Sequence, residues 1–456
     1  MTDGMIPAIE GYLSTLSTVP GETIQLFASS NAGECSLTIV REGEPEEMVH
    51  EENGIAVGDH PIPERAWETG PGWPRCWELT IPETWRSGVY RVTLAAERAP
   101  NLETHSHWSK LCASHDILLV VRARKPASTS KILLQLTTNT YAAYNSWGGK
   151  STYAYNSSDR DQGHRVSLLR PGHGYHNTAF FLWERSFVRW CDREGYALEY
   201  AVNHDLETWP DGFNDYRLIL SVGHDEYWSS PMRDNLERFI GGGGNAAFFS
   251  GNSVCWQVRF EDDGKTMVTY KEHYKEDPLY TPEGHPLLAT LFSHPLVNRP
   301  ENYLTGVGFP MGGYHLSHDA YMDGPGEYTV KRADHWALEG TGLNEGDVFG
   351  AENTIVGYET DGCAYHEQNG YPVPTCDDGT PEDFVIICQA PSRWTGMEFD
   401  VYQEAGVSND GRATMGSHTR GGTVFTAGTT DWAHGLKNDP IVQRITRNVL
   451  DRLSAD

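Results

Sequence analysis

Residues 216–240 read YRLILSVGHDEYWSSPMRDNLERFI, and the expected fold class follows from how this stretch divides. YRLILSV (216–222) is short and almost continuously apolar, as in a strand covered on both faces. Ser229 or Ser230 can then cap a helix, and Pro231 suits its first turn. The glycines at 241–244 end that helix, because consecutive glycines cannot sustain one. Similar apolar runs occur at KILLQLTT (131–138), ALEYAV (197–202) and NAAFFSG (245–251), with the helix-like FFLWERSFVRWCDREG (180–195) among them. Such alternation predicts an α/β fold with a parallel sheet flanked by helices. Ligands of such sheets bind beyond the carboxyl ends of the strands. That rule singles out TTNTYAAYN, NHDLE, GHDEYW and GNSVCW.

Outward from this core, residues 1–125 alternate apolar and polar in ETIQLFASS, CSLTIVREG, RCWELTIP, GVYRVTLAAE and HDILLVVRAR, with turn-rich stretches between. Several short strands at this spacing predict a β-sandwich. ARKPASTSK (123–131) makes a polar joint, so the catalytic α/β domain is expected over 126–456. From about 260 to 415 the chain is rich in Gly, Pro, His and Tyr, and reads as an insertion or small β-rich subdomain. DFVIICQA reads as a further strand, and the tail as a strand, a loop and a closing amphipathic helix.

The whole chain of 456 residues carries a formal net charge of −28. Such a surface repels phosphate backbones and anionic lipid, so nucleic acid and membranes are poor partners. There is no apolar run long enough to span a bilayer, and MTDGMIPAIEGYLS lacks the basic start and apolar core of a signal peptide. A cytoplasmic location is therefore expected. Eight scattered cysteines without a C-x-x-C pair read as reduced, mostly buried thiols, and argue against a cysteine zinc site.

The chemistry concentrates in three segments. In the first, His224 and Glu226 are two apart and point the same way from an extended strand end. Two such groups, with Asp225 between them, are costly there unless paired or ligand-bound. The competing reading is a local cap network, which suits Asp225 best. The second segment groups Tyr141, Tyr144, Asn145, Tyr153 and Tyr155 beside a neighbouring strand end. Half-buried packing is the ordinary use of any one of them. The third, GNSVC, resembles a nucleophile elbow but lacks its second glycine. Cys255 stands two residues late for the thiol of an amidotransferase-like fold. Ser253 with His224 remains an alternative hydrolytic pair without a metal.

The phrases AYNSWGGKS, SFVRWCDREGY, SVGHDEYWS, FFSGNSVCWQ and FTAGTTDW occur in this order. Together they resemble the core of the N,N-dimethylformamidase large (beta) subunit family over about residues 130–450. The amino-terminal phrases IVREG and WRSGVY resemble the sandwich domain that precedes it. The resemblance implies an amidotransferase-like core with a mononuclear Fe(III) held by two tyrosinates and a glutamate. It implies cleavage of an N,N-dimethylformamide-like amide to a carboxylate and an amine. Carried over residue by residue, the glutamate matches Glu226, and the functional His and Asn match His224 and Asn252. The first tyrosine matches Tyr144, with Tyr141 as a weaker match. The second is expected after the Arg-Pro of VSLLRPGHGYH, where Gly172 follows Pro171 and the nearest tyrosine is Tyr175. The chain is much shorter than that large subunit, which leaves the need for a small accessory subunit open. A homo-oligomer is expected.

In this reading the iron acts as Lewis acid, His224 moves a proton and Asn252 donates to the developing oxyanion. The acidic chain and the aromatic residues Tyr144, Trp147, Tyr175, Tyr227 and Trp256 suit a small neutral amide, with Lys150 and Arg170 the only cations near an anionic one. The rival from another class is a non-catalytic, glycan-binding module on a degenerate scaffold.

Overall fold

A computed structural model describes residues 8–96, 113–317, 320–322 and 324–455. At the amino-terminal end, Ile9–Leu13, Thr23–Ser30 and Arg75–Thr80 form one sheet. A second sheet runs in the order Ser17–Thr18, Ser114–Val121, Gly88–Ala95, Glu34–Arg41 and Glu47–Ala56. Period-two alternation gives Thr23–Ser30, Glu34–Arg41, Gly88–Ala95 and Ser114–Val121 one buried face each. Ile24, Leu26, Leu37, Ile39, Val92, Leu94 and Leu119 meet in a core between the sheets.

The rest of the chain is organised on a nine-stranded sheet. Its strands are β1 (Ile132–Leu136), β2 (Glu199–Val202), β3 (Leu218–His224), β4 (Asn245–Gly251), β5 (Tyr328–Val330), β6 (Val348–Phe349), β7 (Val385–Ser392), β8 (Gly411–Arg420) and β9 (Gly422–Thr426). The spatial order is β2-β1-β3-β4-β9-β8-β7-β5-β6. Pairing is parallel from β2 through β9 and antiparallel beyond it.

The expectation of an α/β, amidotransferase-like parallel sheet is therefore corrected. The protein is β-rich, and its largest sheet is mixed. Further antiparallel pairings bring Arg165–Ser167, Trp256–Glu261 and Thr266–Val268 together. The physical reason lies in the Gly-, Pro-, His- and Tyr-rich stretch. It contributes β5 and β6, which no period announced, and β7, read as a strand from DFVIICQA but without its antiparallel sense, and these extend the sheet. GRATMGSHTR of β8 carries no apolar alternation that would announce a ten-residue strand.

The parallel strands are apolar on both faces because both are covered. Leu134, Leu220, Val222 and Phe249 face α3 (Glu184–Glu194) and α5 (Pro440–Ser454). Leu133, Ile219, Ala246 and Phe248 face α4 (Ser230–Gly241). The remaining helices used below are α1 (Thr138–Tyr144) and α2 (Tyr175–Leu182). Ser229 caps α4 by accepting from Met232 N at 3.2 Å, with Pro231 in the first turn. The seven described cysteines are free thiols, five of them buried; Cys112 lies outside the described residues.

The sandwich packs against the larger unit. Buried Glu42 takes Arg91 and, from α3, Arg185. Trp147 Nε1 donates to Glu10 at 3.0 Å and meets Trp73 edge-on at 5.5 Å.

Candidate active site

The site forms where β3 and β4 end side by side, with His224 in register with Gly251. After His224 the chain turns away. The turn is fixed by Val254 N donating to Asp225 O and Trp256 N to Glu226 O, both at 2.8 Å. Two glycines make the close approach feasible. Gly223 sits at φ +85°, and a Cβ there would come within 2.7 Å of Trp183 Cβ. A Cβ on Gly251 would meet Glu359 O at 2.5 Å and Thr430 N at 2.6 Å.

His224 is fully buried and is contacted at both nitrogens. Nδ1 shares a hydrogen bond with the Tyr175 hydroxyl at 2.9 Å. Nε2 lies 2.6 Å from Glu359 Oε2 and 3.2 Å from Glu226 Oε1. Burial opposes charge on the ring, but Glu226 and Glu359 outweigh it and hold its pKa well above the usual histidine range. Reciprocally, burial raises the Glu226 carboxyl, while His224, Lys271 and the Tyr153 hydroxyl pull it below its ordinary value. Tyr144, Tyr175, Trp183 and Tyr358 rings stand 4.5–6.2 Å from one another or from the imidazole.

Asp225 turns the other way, into a buried network. Ser221 donates to it at 2.7 Å and Asn203 at 3.0 Å, and Gln135 closes the set. Asp225 anchors the turn through Ser221, Asn203 and Gln135, whereas the cap-network reading placed it at the helix terminus, where Ser229 is the cap instead.

The tyrosines divide between the two faces of α1. Tyr141 donates to Glu184 and belongs to the core on the α3 side, away from Glu226. Tyr144 packs on the other side, 4.2 Å from the Tyr153 ring and 4.5 Å from Tyr175. The Tyr153 hydroxyl donates to Glu226, 3.1 Å from Oε2, and accepts from the Tyr227 hydroxyl at 2.6 Å. Tyr175 reaches His224 instead, on the nitrogen opposite the one that faces Glu226. Burial first, then nearby acidic and phenolic groups including Glu226, keeps the phenols of Tyr144, Tyr153 and Tyr175 well above the usual range.

Asn252 lies directly past β4 at φ +51°, with Nδ2 3.4 Å from Glu226 Oε1. Ser253 is buried beside it. Its hydroxyl is 2.8 Å from Ser250 Oγ, and its N–H donates to Asp361 at 3.0 Å. Both nitrogens of His224 are engaged elsewhere, so the structure does not assemble a Ser253–His224 pair. Burial pushes the Cys255 thiol far up, which removes it as a nucleophile.

Glu359 and Lys271 were not legible in the sequence, and Tyr153 stood out only as one of the four tyrosines in its segment. Ala-Tyr-Asn occurs at 143–145 and again at 154–156, a repetition that could have drawn notice to the intervening Tyr153. Glu359 sits in VGYETDGC, which carries no pattern. Among the described residues, His224, Glu226 and Glu359 are the one group of three His, Cys, Asp or Glu whose ligand atoms all lie within 4.8 Å of one another.

A family model described as "N,N-dimethylformamidase beta subunit-like, C-terminal" matches residues 40–445. The N,N-dimethylformamidase beta subunit of an Alcaligenes species is 20% identical over 439 residues, covering 84% of this chain and 54% of the relative. The chain thus spans about half the length of that protein. Among solved structures, a family 123 glycoside hydrolase from Clostridium perfringens, described in terms of glycolipid glycan hydrolysis, aligns at 8% identity. It covers 57% of this chain and 51% of its own at a TM-score of 0.13, too low to bear on fold or chemistry. No described helix is long and apolar enough to cross a membrane.

Proposed function

The chain belongs to the N,N-dimethylformamidase beta subunit-like family, and from that premise we propose that it hydrolyses the C–N bond of a small, neutral, N-substituted amide. One observation carries the reading. A fully buried imidazole is held against two carboxylates at the open end of a parallel strand pair, inside an aromatic wall. A merely structural ion pair gives no reason to sequester three titratable groups there.

The proposed cofactor is a mononuclear ferric ion, and the donor set suits it. Glu226 and the phenols of Tyr144 and Tyr153 are hard oxygen donors. Burial and acidic neighbours keep these phenols protonated above the usual range, and a trivalent ion beside them is the kind of charge that reverses this. Glu226 and Tyr144 would hold the ion. Tyr153 is better placed than Tyr175 as the second phenolate, since its hydroxyl lies on Glu226 itself. When bound, the ion would supply Lewis acidity toward the amide carbonyl and a water.

The chain's own groups account for the proton movements. Water oxygen bonds to the acyl carbon as the C–N bond breaks, and the leaving nitrogen needs a proton. His224, kept protonated by Glu226 and Glu359, is suited to donate it. The proton lost by the water restores the imidazolium. Tyr175 orients the ring through Nδ1, and Asn252 offers an amide N–H to an oxyanion beside Glu226. Oligomeric assembly, with or without a small accessory subunit, belongs to the same proposal.

The test pairs elemental analysis of the purified chain with amine release from dimethylformamide, dimethylacetamide, formamide, an N-acyl amino acid and a dipeptide. About one iron per chain and turnover confined to the small neutral amides are expected. Iron-free protein from iron-replete medium, or a preference for the dipeptide, would sink the reading.

A further inference from the structure

The two cations weighed from the sequence are committed elsewhere. Lys150 pairs with Asp161. Arg170 is buried and donates to four carbonyls, those of Trp147, Lys150, Ala142 and Asn145. The cation that does stand beside the site is Lys271, 1% exposed. Its Nζ lies 3.1 Å from the Tyr153 ring centroid, 5.0 Å from that of Trp256 and 5.8 Å from that of Tyr227. Among the described residues, no carboxylate comes within ion-pair distance of this ammonium. Aromatic faces offset only part of the cost of burying a charge, so the position needs a further reason.

The backbone gives independent support. Lys271 adopts φ +51°, a left-handed conformation uncommon outside glycine. It is clamped there by Lys271 N donating to Ala289 O at 2.8 Å and by Thr290 Oγ1 donating to Lys271 O at 3.0 Å. Strain of this kind collects at functional sites. The same ring that carries the ammonium on its face carries Glu226 on its hydroxyl, so Lys271 borders the space where the acyl group would react.

We propose that Lys271 is a specificity-determining residue, its ammonium receiving the carboxylate that amide cleavage creates. The inference rests on the amide-hydrolase reading. A neutral amide enters, but the acyl product leaves with a negative charge next to Glu226 and Glu359. A fixed cation in this dry pocket offsets that repulsion and gains a charge-assisted contact. The chemistry recognised is a small carboxylate. Its source in this proposal is the acyl product; a substrate that already carries a carboxylate is the alternative that the titration separates from it.

Tryptophan fluorescence of the full chain, with Trp256 as near reporter, would be followed during titration with sodium formate, N,N-dimethylformamide and N-formylglycine. Wild type would be compared with Lys271→Met and Lys271→Arg. Formate binding is expected to weaken roughly tenfold or more in Lys271→Met and to recover largely in Lys271→Arg, while dimethylformamide binding moves less than about twofold. If Lys271→Met fails a circular-dichroism check, Lys271→Gln is read the same way. Formate binding equal in wild type and the uncharged variant would overturn the assignment, as would tighter Lys271-dependent binding of N-formylglycine than of formate. Absent amine release with formate discrimination intact would remove the hydrolase reading alone. Amine release with discrimination lost would remove only the role of Lys271.

Discussion

At the scale of single residues, the site separates groups by the nitrogen of His224 that they face. A ferric ion held by tyrosinates absorbs in the visible region, and Tyr153→Phe is expected to lose most of the bound metal and that absorption with it. Tyr175→Phe is expected to keep the metal and lower turnover, because it takes away only the partner of Nδ1. Loss of metal in Tyr175→Phe with retention in Tyr153→Phe would reverse the assignment. Since His224 is needed in its protonated form, turnover should fall as pH rises through its elevated pKa, and His224→Ala should keep metal while losing that alkaline limb. A wild-type profile rising without limit on the alkaline side would exclude His224 as the acid. His224 and Glu226 stood out because they sit at, or directly after, a strand end in contiguous sequence, whereas Asn252 took its role only from the family resemblance. Glu359 and Lys271 did not stand out, because the contacts that give them meaning are tertiary, and their own neighbourhoods carry no period.

At the scale of elements, the close seating of β4 against the Glu359 segment depends on the missing side chain of Gly251. Gly251→Ala would drive a methyl into backbone at Glu359 and Thr430, and backbone cannot swing aside. Overpacking of this kind costs about 1–3 kcal/mol, so a lower Tm and a large loss of turnover are expected together. An alanine variant as stable and active as wild type would show that the Glu359 segment is free to shift. The elements themselves were unequally legible. Sandwich strands announce themselves by alternation, and the α4 start by Ser229 and Pro231. Whether a strand joins in parallel or antiparallel sense is decided by its partner, and that is where the reading of the sheet failed.

At the scale of the molecule, three buried carboxyls outside the described cluster bear on stability. Burial raises Glu184 and Asp361 to about 7 and Glu301 to about 8. The folded form therefore holds protons that the unfolded chain releases above its ordinary carboxyl range. Stability is accordingly lost as pH rises from that range through about 8. The net charge of −28 acts in the same direction, since self-repulsion grows as these groups ionise. A Tm lower by roughly a few degrees at pH 8.5 than at pH 6 is expected by scanning calorimetry. An unchanged or higher Tm at pH 8.5 would show that these carboxyls are relieved by partners other than protons.

The docking of Trp147 onto Glu10 and Trp73 has a consequence for biosynthesis. Domains generally fold as the chain emerges, amino-terminal part first. The sandwich is therefore complete before the ribosome has delivered the loop that follows Tyr144, and it offers that loop a ready-made mould. Expressed without its first hundred or so residues, the remainder would have to shape the loop unaided, and its failure would surface as insolubility during synthesis rather than as a slow enzyme.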